Sequence, residues 1–501
     1  MHSAAAENEP DRTARRNFVI FLSAVPDLLV CRMARSNFPT RRSFAKTAAA
    51  ASASAFGFQF VPSRVWGANE RVTLGGIGTG GKGAVDVAES AKAGFQVVAL
   101  VDVTDPKRAP ESTAGMEYWA KTPNAHPDAK FYQDYREMLA DMGNRVDAVT
   151  VSTPDHHHFH AAAAAMRAGK HVYCQKPLTH SIWEARQLAM IAAETKVKTQ
   201  MGNQGQAADA MRRVMEVIRA GAIGKVKEVH TWTDRPIWPQ GFATMPDPEP
   251  VPAWLDWEQW IGPAPFTPYS SKIHPFNWRG YYDFGCGALG DMACHYMALA
   301  FGAIDFGPPT SVSAKAEGGT EISPPITSTV TYEFAGPGVK YVWYDGMQGA
   351  QFDRKEWKLT RGDFNRPGEK ILQGLNYRKF DNAIVGDRGI LYFGYFQMDK
   401  WVVIPSSALD GFAWPAQTLP RAREGNPYAE WLDSIRGKIA QSESHFGKSG
   451  PFTEAVLLGV IAQRFPGQKL EWDSANLAIK GRPDLQRFIR TEYRKGWEVP
   501  G

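Results

Sequence analysis

The stretch Val72-Thr-Leu-Gly-Gly-Ile77 runs directly into Gly78-Thr-Gly-Gly-Lys-Gly83, and this passage decides the fold. The first six residues are mostly apolar or glycine, which predicts a buried β-strand, and a helical pattern follows the glycine-rich turn. Three of the glycines satisfy the spacing G-x-G-x-x-G, which is typical of a dinucleotide-binding turn. They allow a tight turn, close approach of the backbone to a pyrophosphate, and close packing of helix on strand. The predicted cofactor contacts in this turn are Gly78, Thr79, Gly80, Gly81 and Gly83.

A second register of glycines, Gly76/Gly78/Gly81, fits the same spacing. We favour the register Gly78/Gly80/Gly83, because the strand then keeps its apolar run through Ile77. In either register the N-terminus of the following helix offers free N–H groups to the phosphates.

A second apolar run, residues 95–101, ends at Asp102, about 20 residues beyond the central glycine. An acidic residue at this position is expected to hydrogen-bond the adenosine ribose of a bound dinucleotide. Asp102 therefore favours NAD as the cofactor, while Lys107 and Arg108 nearby leave NADP open.

Composition places the chain among globular proteins. Its 501 residues allow about two to four domains, and 44% hydrophobic with 22% charged residues is ordinary for such proteins. The net charge of +5 is small for this length and gives no argument for nucleic-acid binding. Four cysteines without zinc-site or C-x-x-C spacing argue against a structural metal and against a disulfide framework.

The N-terminal region resembles an export signal. Twin arginines, Arg41-Arg42, are followed by phenylalanine and lysine and then by a small-residue run at 47–60, which is the twin-arginine pattern. That run is too short and too polar to span a membrane. We expect an exported, periplasmic protein without an integral membrane span; a basic disordered tail is the alternative. Met33 is the start that best fits such a signal, and the fold begins near residue 69.

Strand and helix patterns alternate at short spacing after the glycine turn. The predicted helices are 132–142, 161–168 and 181–195, and the predicted strands are 146–151, 170–174 and 197–201. This alternation predicts a doubly wound parallel sheet over residues 69–204, an α/β Rossmann domain. In such sheets ligands bind at the carboxyl ends of the strands. The predicted cofactor contacts at those ends are Thr153, Pro154, His156, Gln175, Lys176 and Asn203.

A dense histidine cluster follows the first of these strands. Consecutive histidines point in different directions on a strand or at a helix start, so we expect no metal site there. The cluster comprises His156, His157, His158 and His160.

The second half of the chain predicts an α+β domain over residues 205–480 with an open, mostly antiparallel sheet. Residues 310–346 alternate polar and apolar side chains, as strands do. The pattern of residues 348–420 predicts an insertion or hairpins that continue the sheet. Residues 481–501 are predicted to form a C-terminal tail. Tryptophan and proline dominate the irregular segment 236–278, which predicts either sugar-stacking rings or ordinary packing of a long loop.

Asp291 and His295 are four residues apart in a helical pattern and would share one helix face. A carboxylate beside an imidazole is a plausible acid–base unit, although the same pair is common on protein surfaces.

These motifs together resemble the Gfo/Idh/MocA oxidoreductases, the family of glucose–fructose oxidoreductase and inositol dehydrogenase. The resemblance covers about residues 70 to 480, and an exported subgroup with twin-arginine signals is similar to this chain in more detail. The resemblance to the family rests on the motifs Gly78–Gly83, Ser152–His156, Gly169–Val172, Lys176–Leu178 and Asp291–His295. The family usually has Glu-Lys-Pro where this chain has Gln175-Lys176-Pro177, so how the nicotinamide ribose is held and how the lysine pKa is tuned differ here.

The resemblance implies roles for the polar residues. Lys176 would hydrogen-bond the reacting oxygen, His295 would take the hydroxyl proton, and Asp291 would orient the substrate or His295. The implied substrate contacts are Lys176, Trp278, Arg279, Asp291 and His295. The family also implies C-terminal helices packed on the nucleotide domain and a dimer or tetramer formed through the open sheet face.

The implied function is an NAD(H)-dependent oxidoreductase that acts on a secondary alcohol of a sugar, cyclitol or derivative. Two alternatives stay open. Some family members are NAD-dependent glycosidases that oxidise, eliminate and re-reduce, and a nonenzymatic sugar-binding protein would keep a degenerate site.

Overall fold

A computed structural model describes residues 71–110, 121–336 and 338–498. The predicted export signal around Arg41-Arg42 and the start at Met33 lie outside the described residues. No helix in the described ranges is long and apolar enough to cross a membrane.

The glycine turn emerges from the middle of a six-stranded parallel sheet with the order β3-β2-β1-β4-β5-β6. All neighbouring strands pair in parallel. Strand order reverses between β1 and β4, so the crevice for a ligand opens where β1 ends. The strands are β1 Thr73–Ile77, β2 Gln96–Val101, β3 Lys130–Tyr132, β4 Ala148–Val151, β5 His171–Cys174 and β6 Thr199–Met201. The predicted Rossmann architecture is confirmed.

The helices of this sheet are α1 Gly81–Ala93, α2 Lys121–Ala125, α3 Tyr135–Met142, α4 Asp155–Arg167 and α5 Ile182–Thr195. Two predicted boundaries are wrong. The helix expected to begin at residue 132 begins at Tyr135, because the Asp134 side chain caps it by accepting from Arg136 N, and residues 130–132 form β3 instead. The helix expected at residue 161 begins at Asp155, so the histidine cluster occupies its first turns.

The second sheet has the order β16-β15-β14-β7-β10-β9-β8-β17-β18, with β13 paired to β10. Only β7 and β10 pair in parallel among its described strands, which confirms a mostly antiparallel sheet. Its strands are β7 Val226–Trp232, β8 Pro309–Glu317, β9 Thr327–Phe334, β10 Lys340–Gln348, β13 Asp363–Phe364, β14 Asn382–Gly386, β15 Ile390–Phe393, β16 Val402–Ile404, β17 Lys469–Asp473 and β18 Ala478–Ile479; β11 Phe352–Asp353 and β12 Lys358–Leu359 form a separate hairpin. Because β14 pairs with β7, residues 348–420 do continue the sheet.

The remaining helices are α6 Asp209–Arg219, α7 Trp257–Ile261, α8 Gly287–Tyr296, α9 Ala298–Ala303, α10 Glu369–Leu372, α11 Pro427–Ile435, α12 Phe446–Gln463 and α13 Gln486–Ile489. Helix α12 packs on α5 and α11 packs on α1, so both late helices return to the nucleotide domain as the resemblance implied. The predicted tail contains α13 and the buried Trp497, whose ring packs against His157 and His160 of α4.

Candidate active site

The turn after β1 is shaped for close backbone approach. Gly78 has φ +76°, and a Cβ there would lie 2.8 Å from the Ser152 backbone. A Cβ on Gly83 would come within 1.8 Å of the Gly78 carbonyl oxygen, whereas Gly76 lies inside β1 against Val87. The geometry therefore supports the register Gly78/Gly80/Gly83. No side chain caps the N-terminus of α1 at Gly80. The N–H of Gly83 is bonded to Gly80 O, so the N–H groups of Gly81 and Lys82 are the ones that α1 offers to a pyrophosphate.

Asp102 at the end of β2 lies directly over this turn. One carboxylate oxygen accepts hydrogen bonds from Thr79 N at 2.8 Å and Gly80 N at 3.0 Å, and the other accepts from Thr104 N at 3.0 Å. Burial raises the pKa of Asp102, while these N–H groups act in the opposite direction. Arg108, which left NADP open, is paired with Asp105 at 2.7 Å. The ribose contact of Asp102 stays a prediction.

A cavity of about 470 Å³ begins at the glycine turn and extends to the second domain. Its lining includes these predicted residues: Gly78, Gly80, Gly81, Asp102, Thr153, Pro154, Gln175, Lys176, Trp278, Arg279 and Asp291. The Thr153 hydroxyl oxygen is buried there without a hydrogen-bond partner in the described chain. A glycine cradle, a free helix N-terminus and this orphaned hydroxyl fit a dinucleotide with its many hydrogen-bonding groups.

Two residues predicted to contact the cofactor lie elsewhere. The buried His156 ring has its nitrogens 3.3 Å from Phe284 O and 3.0 Å from Trp260 O, because its position on α4 directs it toward these two aromatic residues. Burial, together with the neighbouring His157, lowers the pKa of His156 well below its usual range. Asn203 lines a different cavity, of about 720 Å³. Thr79 and Gly83 shape the turn without lining the cavity.

The polar cluster at the far end of the cavity joins the two domains. Lys176, just after β5, donates from Nζ to Asp291 Oδ1 of α8 at 2.7 Å. Arg279 Nε lies 3.4 Å from the same oxygen, and its guanidinium stacks on the Trp278 ring. Burial works against ionisation of Asp291, yet Lys176 and Arg279 lower its pKa to about 2. The carboxylate therefore stays charged and holds two cations beside the cavity.

His295 lies one turn after Asp291 on α8, as the spacing predicted. Asp291 pairs with Lys176 and Arg279, and no hydrogen bond to His295 is formed. A direct hydrogen bond is therefore not what orients His295, and the alternative, that Asp291 orients the substrate, stays a prediction. His295 does not line the 470 Å³ cavity, but burial and the nearby charge of Lys176 lower its pKa to about 3.

Tyr395 supplies the contact to His295 that sequence reasoning missed. Its hydroxyl lies 3.1 Å from His295 Nδ1 and accepts from Gly205 N at 3.1 Å. A Cβ on Gly205 would lie 2.5 Å from the Tyr395 ring, so a glycine there lets the ring approach. Nothing in the local pattern of residues 389–397 signals this role.

Asp155 also lines the cavity, and the sequence analysis assigned no role to this acidic residue. It begins α4, lines the cavity and accepts from Cys286 N at 3.1 Å. Burial raises its pKa to about 7, against the opposing charges of Lys176 and Arg279. A carboxyl group with this pKa exchanges protons near neutral pH.

Most tryptophans of the 236–278 segment pack as a core. Trp257 and Trp260 stack with ring centroids 4.5 Å apart and are buried. Trp260 and Trp278 also line the cavity, so only these two rings of the segment's tryptophans border it. In the described ranges no group of three or more His, Cys, Asp or Glu side chains is arranged to hold a metal.

Two models of one oxidoreductase family match the chain. The model described as the NAD-binding Rossmann fold matches residues 71–203, and the model of the C-terminal α/β domain matches residues 210–336. Together they span just over half of the chain. Tyr395 lies beyond both matches.

Curated relatives resemble parts of the chain. Inositol 2-dehydrogenase 1 of Saccharopolyspora erythraea is 32% identical over 163 residues, 32% of this chain and 44% of that protein. A glycosyl hydrolase family 109 protein of Solibacter usitatus is 34% identical over 162 residues, 32% of this chain and 36% of that protein. The match thus spans less than half the length of either relative.

A solved structure shares the fold over most of both chains. It is an inositol dehydrogenase homolog from Azotobacter vinelandii, complexed with NADH and myo-inositol. The TM-score is 0.51 at 15% identity, with 81% of this chain and 98% of that chain covered.

Proposed function

Because this chain belongs to the Gfo/Idh/MocA oxidoreductase family through both its NAD-binding Rossmann domain and its C-terminal α/β domain, we propose that it is an NAD(H)-dependent oxidoreductase acting on a secondary alcohol of a sugar, cyclitol or derivative. The observation that carries the proposal is the cluster of Lys176, Asp291 and Arg279 at the end of the nucleotide cavity. Two domains contribute to it, and each residue was expected there from the sequence.

Three side chains of the protein act at the substrate oxygen that reacts. Lys176 Nζ donates a hydrogen bond to that oxygen and stabilises negative charge that develops on it. Asp291 holds the ammonium in place, since their atoms are 2.7 Å apart. His295 lies beside the cavity lining, close enough to Lys176 for that charge to lower its pKa. It takes the hydroxyl proton at Nε2, the ring nitrogen that Tyr395 leaves free. Bound NAD supplies the hydride chemistry.

The glycine turn and Thr153 would hold the cofactor, with Asp102 on the adenosine ribose. Arg108 is engaged by Asp105, which supports NAD over NADP. The twin arginines Arg41-Arg42 support export to the periplasm. Free NAD is scarce there, so the cofactor stays bound and is recycled between an oxidised and a reduced sugar. A dimer or tetramer formed through the open sheet face completes the proposal.

A second candidate is an NAD-dependent glycoside hydrolase that oxidises its sugar transiently, eliminates the glycoside and re-reduces the product. The similarity to a glycosyl hydrolase family 109 protein over 162 residues favours keeping it. The same lysine, aspartate and histidine would serve both reactions.

The test begins with denaturing the purified protein and identifying the released nucleotide. A panel of sugars, cyclitols and glycosides is then scored for both NADH formation and aglycone release. Net NADH supports the oxidoreductase, aglycone without net redox change supports the glycosidase, and binding without either product indicates a sugar-binding protein.

Lys176→Ala is the decisive variant. It removes the donor to the reacting oxygen, so hydride transfer is abolished while NADH binding persists. Lys92→Ala, an exposed lysine in the last turn of α1, is the matched control and retains full activity. Full activity of Lys176→Ala refutes the assignment.

A further inference from the structure

The side chain of Gln175 is held by a buried carboxylate that lies 89 residues earlier in the chain. Asp86, on α1 just behind the glycine turn, is completely buried. One of its oxygens accepts from Gln175 Nε2 at 2.8 Å and from Ser152 Oγ at 2.7 Å. The other accepts from the Tyr428 hydroxyl at 2.6 Å and from Lys82 Nζ. Asp86 therefore satisfies four donors from four different segments.

This contact decides which way the Gln175 amide points. An ionised carboxylate only accepts hydrogen bonds, so the amide must turn its NH₂ group toward Asp86. Its oxygen Oε1 is then left for other donors, and among the described residues it accepts only from Lys176 N, at a long 3.4 Å. Gly202 presses against the amide, since a Cβ there would lie 2.6 Å from Nε2. The amide thus has little freedom to rotate.

The same contact explains why glutamine suits position 175 in this chain. A glutamate there would place a second carboxylate within hydrogen-bond distance of buried Asp86. Two carboxylates at such a distance cannot both ionise without a large cost. Asp86 and Gln175 therefore form one unit, with the negative charge on α1 and a neutral acceptor at the end of β5.

We infer that Asp86 is a positioning residue that fixes Gln175 so that Oε1 faces the cavity and accepts a hydrogen bond from a ribose hydroxyl of bound NAD. Gln175 lines the nucleotide cavity and Asp86 does not. Asp86 also holds Ser152 and Lys82 of the same lining, so the coupling between Asp86 and Gln175 has to be measured directly. The inference rests on the proposed function in its use of NAD and on no particular substrate.

The test is a double-mutant cycle read by NADH affinity, with nucleotide-free protein titrated by calorimetry or by NADH fluorescence. Asp86→Asn frees the amide to flip, and Gln175→Glu sets two carboxylates against each other. Each single variant weakens NADH binding about tenfold, the loss expected for one well-made hydrogen bond. The double variant Asp86→Asn/Gln175→Glu restores a donor–acceptor pair and recovers affinity to within about threefold of wild type.

Controls separate positioning from general damage. Asp345→Asn changes another buried aspartate, which accepts from Trp343 and Ser328 in the second domain; it lowers the melting temperature and leaves NADH affinity unchanged. Where Asp86→Asn does not fold, Gln175→Ala removes the whole amide, Oε1 included, while leaving Asp86 in place, and must still weaken NADH binding about tenfold.

The outcomes are distinct. A double variant that binds no better than the weaker single variant overturns the inference, as does an Asp86→Asn or a Gln175→Ala protein with wild-type affinity. Wild-type protein that binds neither NAD nor NADH contradicts the proposed function instead.

Discussion

The Tyr395 hydroxyl lies 3.1 Å from Nδ1 of His295 and, at the same distance, accepts the backbone N–H of Gly205. A backbone N–H can only donate, and a hydroxyl oxygen has two lone pairs, so the Tyr395 oxygen can also accept from Nδ1–H of His295. The proton transfer that we propose requires this arrangement, because it leaves Nε2 of neutral His295 unprotonated and able to take a proton from a substrate hydroxyl. A segment outside both family-model matches thus sets the protonation pattern of a residue that the family motif carries.

Tyr395→Phe tests this relationship. Losing the oxygen that accepts from Nδ1–H removes the hydrogen bond that holds the proton on Nδ1, so the ring populates both tautomers. Nitrogen-15 NMR of histidine-labelled protein measures the tautomer populations, with the His295 signal assigned from its loss in His295→Asn.

Tyr392→Phe is the control for that experiment, because the Tyr392 hydroxyl donates to Ile371 O instead. It leaves the His295 signals unchanged. A wild-type ring with its proton on Nε2, or a Tyr395→Phe ring identical to wild type, contradicts the assignment.

Asp102→Ala changes cofactor choice as well as affinity. The carboxylate holds the N–H groups of Thr79 and Gly80 and carries the charge that opposes a 2′-phosphate. We expect NADH binding to weaken about tenfold and NADPH binding to weaken less, so the ratio of the two dissociation constants shifts toward NADPH. Asp484→Asn, which loosens an exposed pair with Arg482, serves as the comparison and leaves the ratio unchanged. An unchanged ratio in Asp102→Ala argues against the ribose role.

The buried ion pair of Arg212 and Glu430 holds α11 against α6. The Arg212 guanidinium donates to both carboxylate oxygens at 2.8 Å, and both side chains are almost fully buried. Glu430→Met leaves the guanidinium without its carboxylate, and the free energy of unfolding falls by about 3–5 kcal/mol. Arg212→Met/Glu430→Met removes both charges and loses less. Urea unfolding measures both variants, and equal losses would show that the charge left behind is not the cause.

This pair also bears on the cofactor site, because α11 carries Tyr428 to Asp86. Glu430→Met should therefore weaken NADH binding as well as lower stability. Wild-type NADH affinity in a clearly destabilised Glu430→Met protein would separate the two effects.

Acidification below about pH 6.5 lowers the stability of the protein. Burial holds the pKa of a set of histidines at about 3 or 4 when folded, so they bind protons only in the unfolded chain as pH falls from 6.5. That set is His157, His158, His160, His171, His180, His274 and His295. Their stabilisation is complete above pH 6.5 and is lost toward pH 4.

Buried acids oppose this trend, because burial raises their pKa to about 6 or 7 and the folded state binds protons first. They are Asp155, Glu184, Asp345 and Asp381, fewer than the histidines of the described chain. Urea unfolding across this range gives the slope, and His160→Asn reduces it by up to about 1.4 kcal/mol per pH unit. Stability that is flat or rises on acidification contradicts the balance.

Local patterns in the sequence were enough for the glycine turn, the alternation of strands and helices, and the shared face of Asp291 and His295. Each depends on backbone geometry within a few residues, which side-chain period and glycine position report directly. The early start of α4 was missed because a run of histidines carries no apolar period, and β3 because a three-residue strand has almost none.

The tertiary structure alone decided the contacts between distant segments. Lys176 and Asp291 are 115 residues apart, and Tyr395 and His295 are 100 residues apart. Their meeting depends on how the two sheets and their helices pack, which no local period records. The same packing directs His156 toward Trp260 and Phe284 and gives Gln175 a carboxylate partner on α1. The sequence therefore identified most of the site residues, whereas the packing of the two sheets determined which residues they contact.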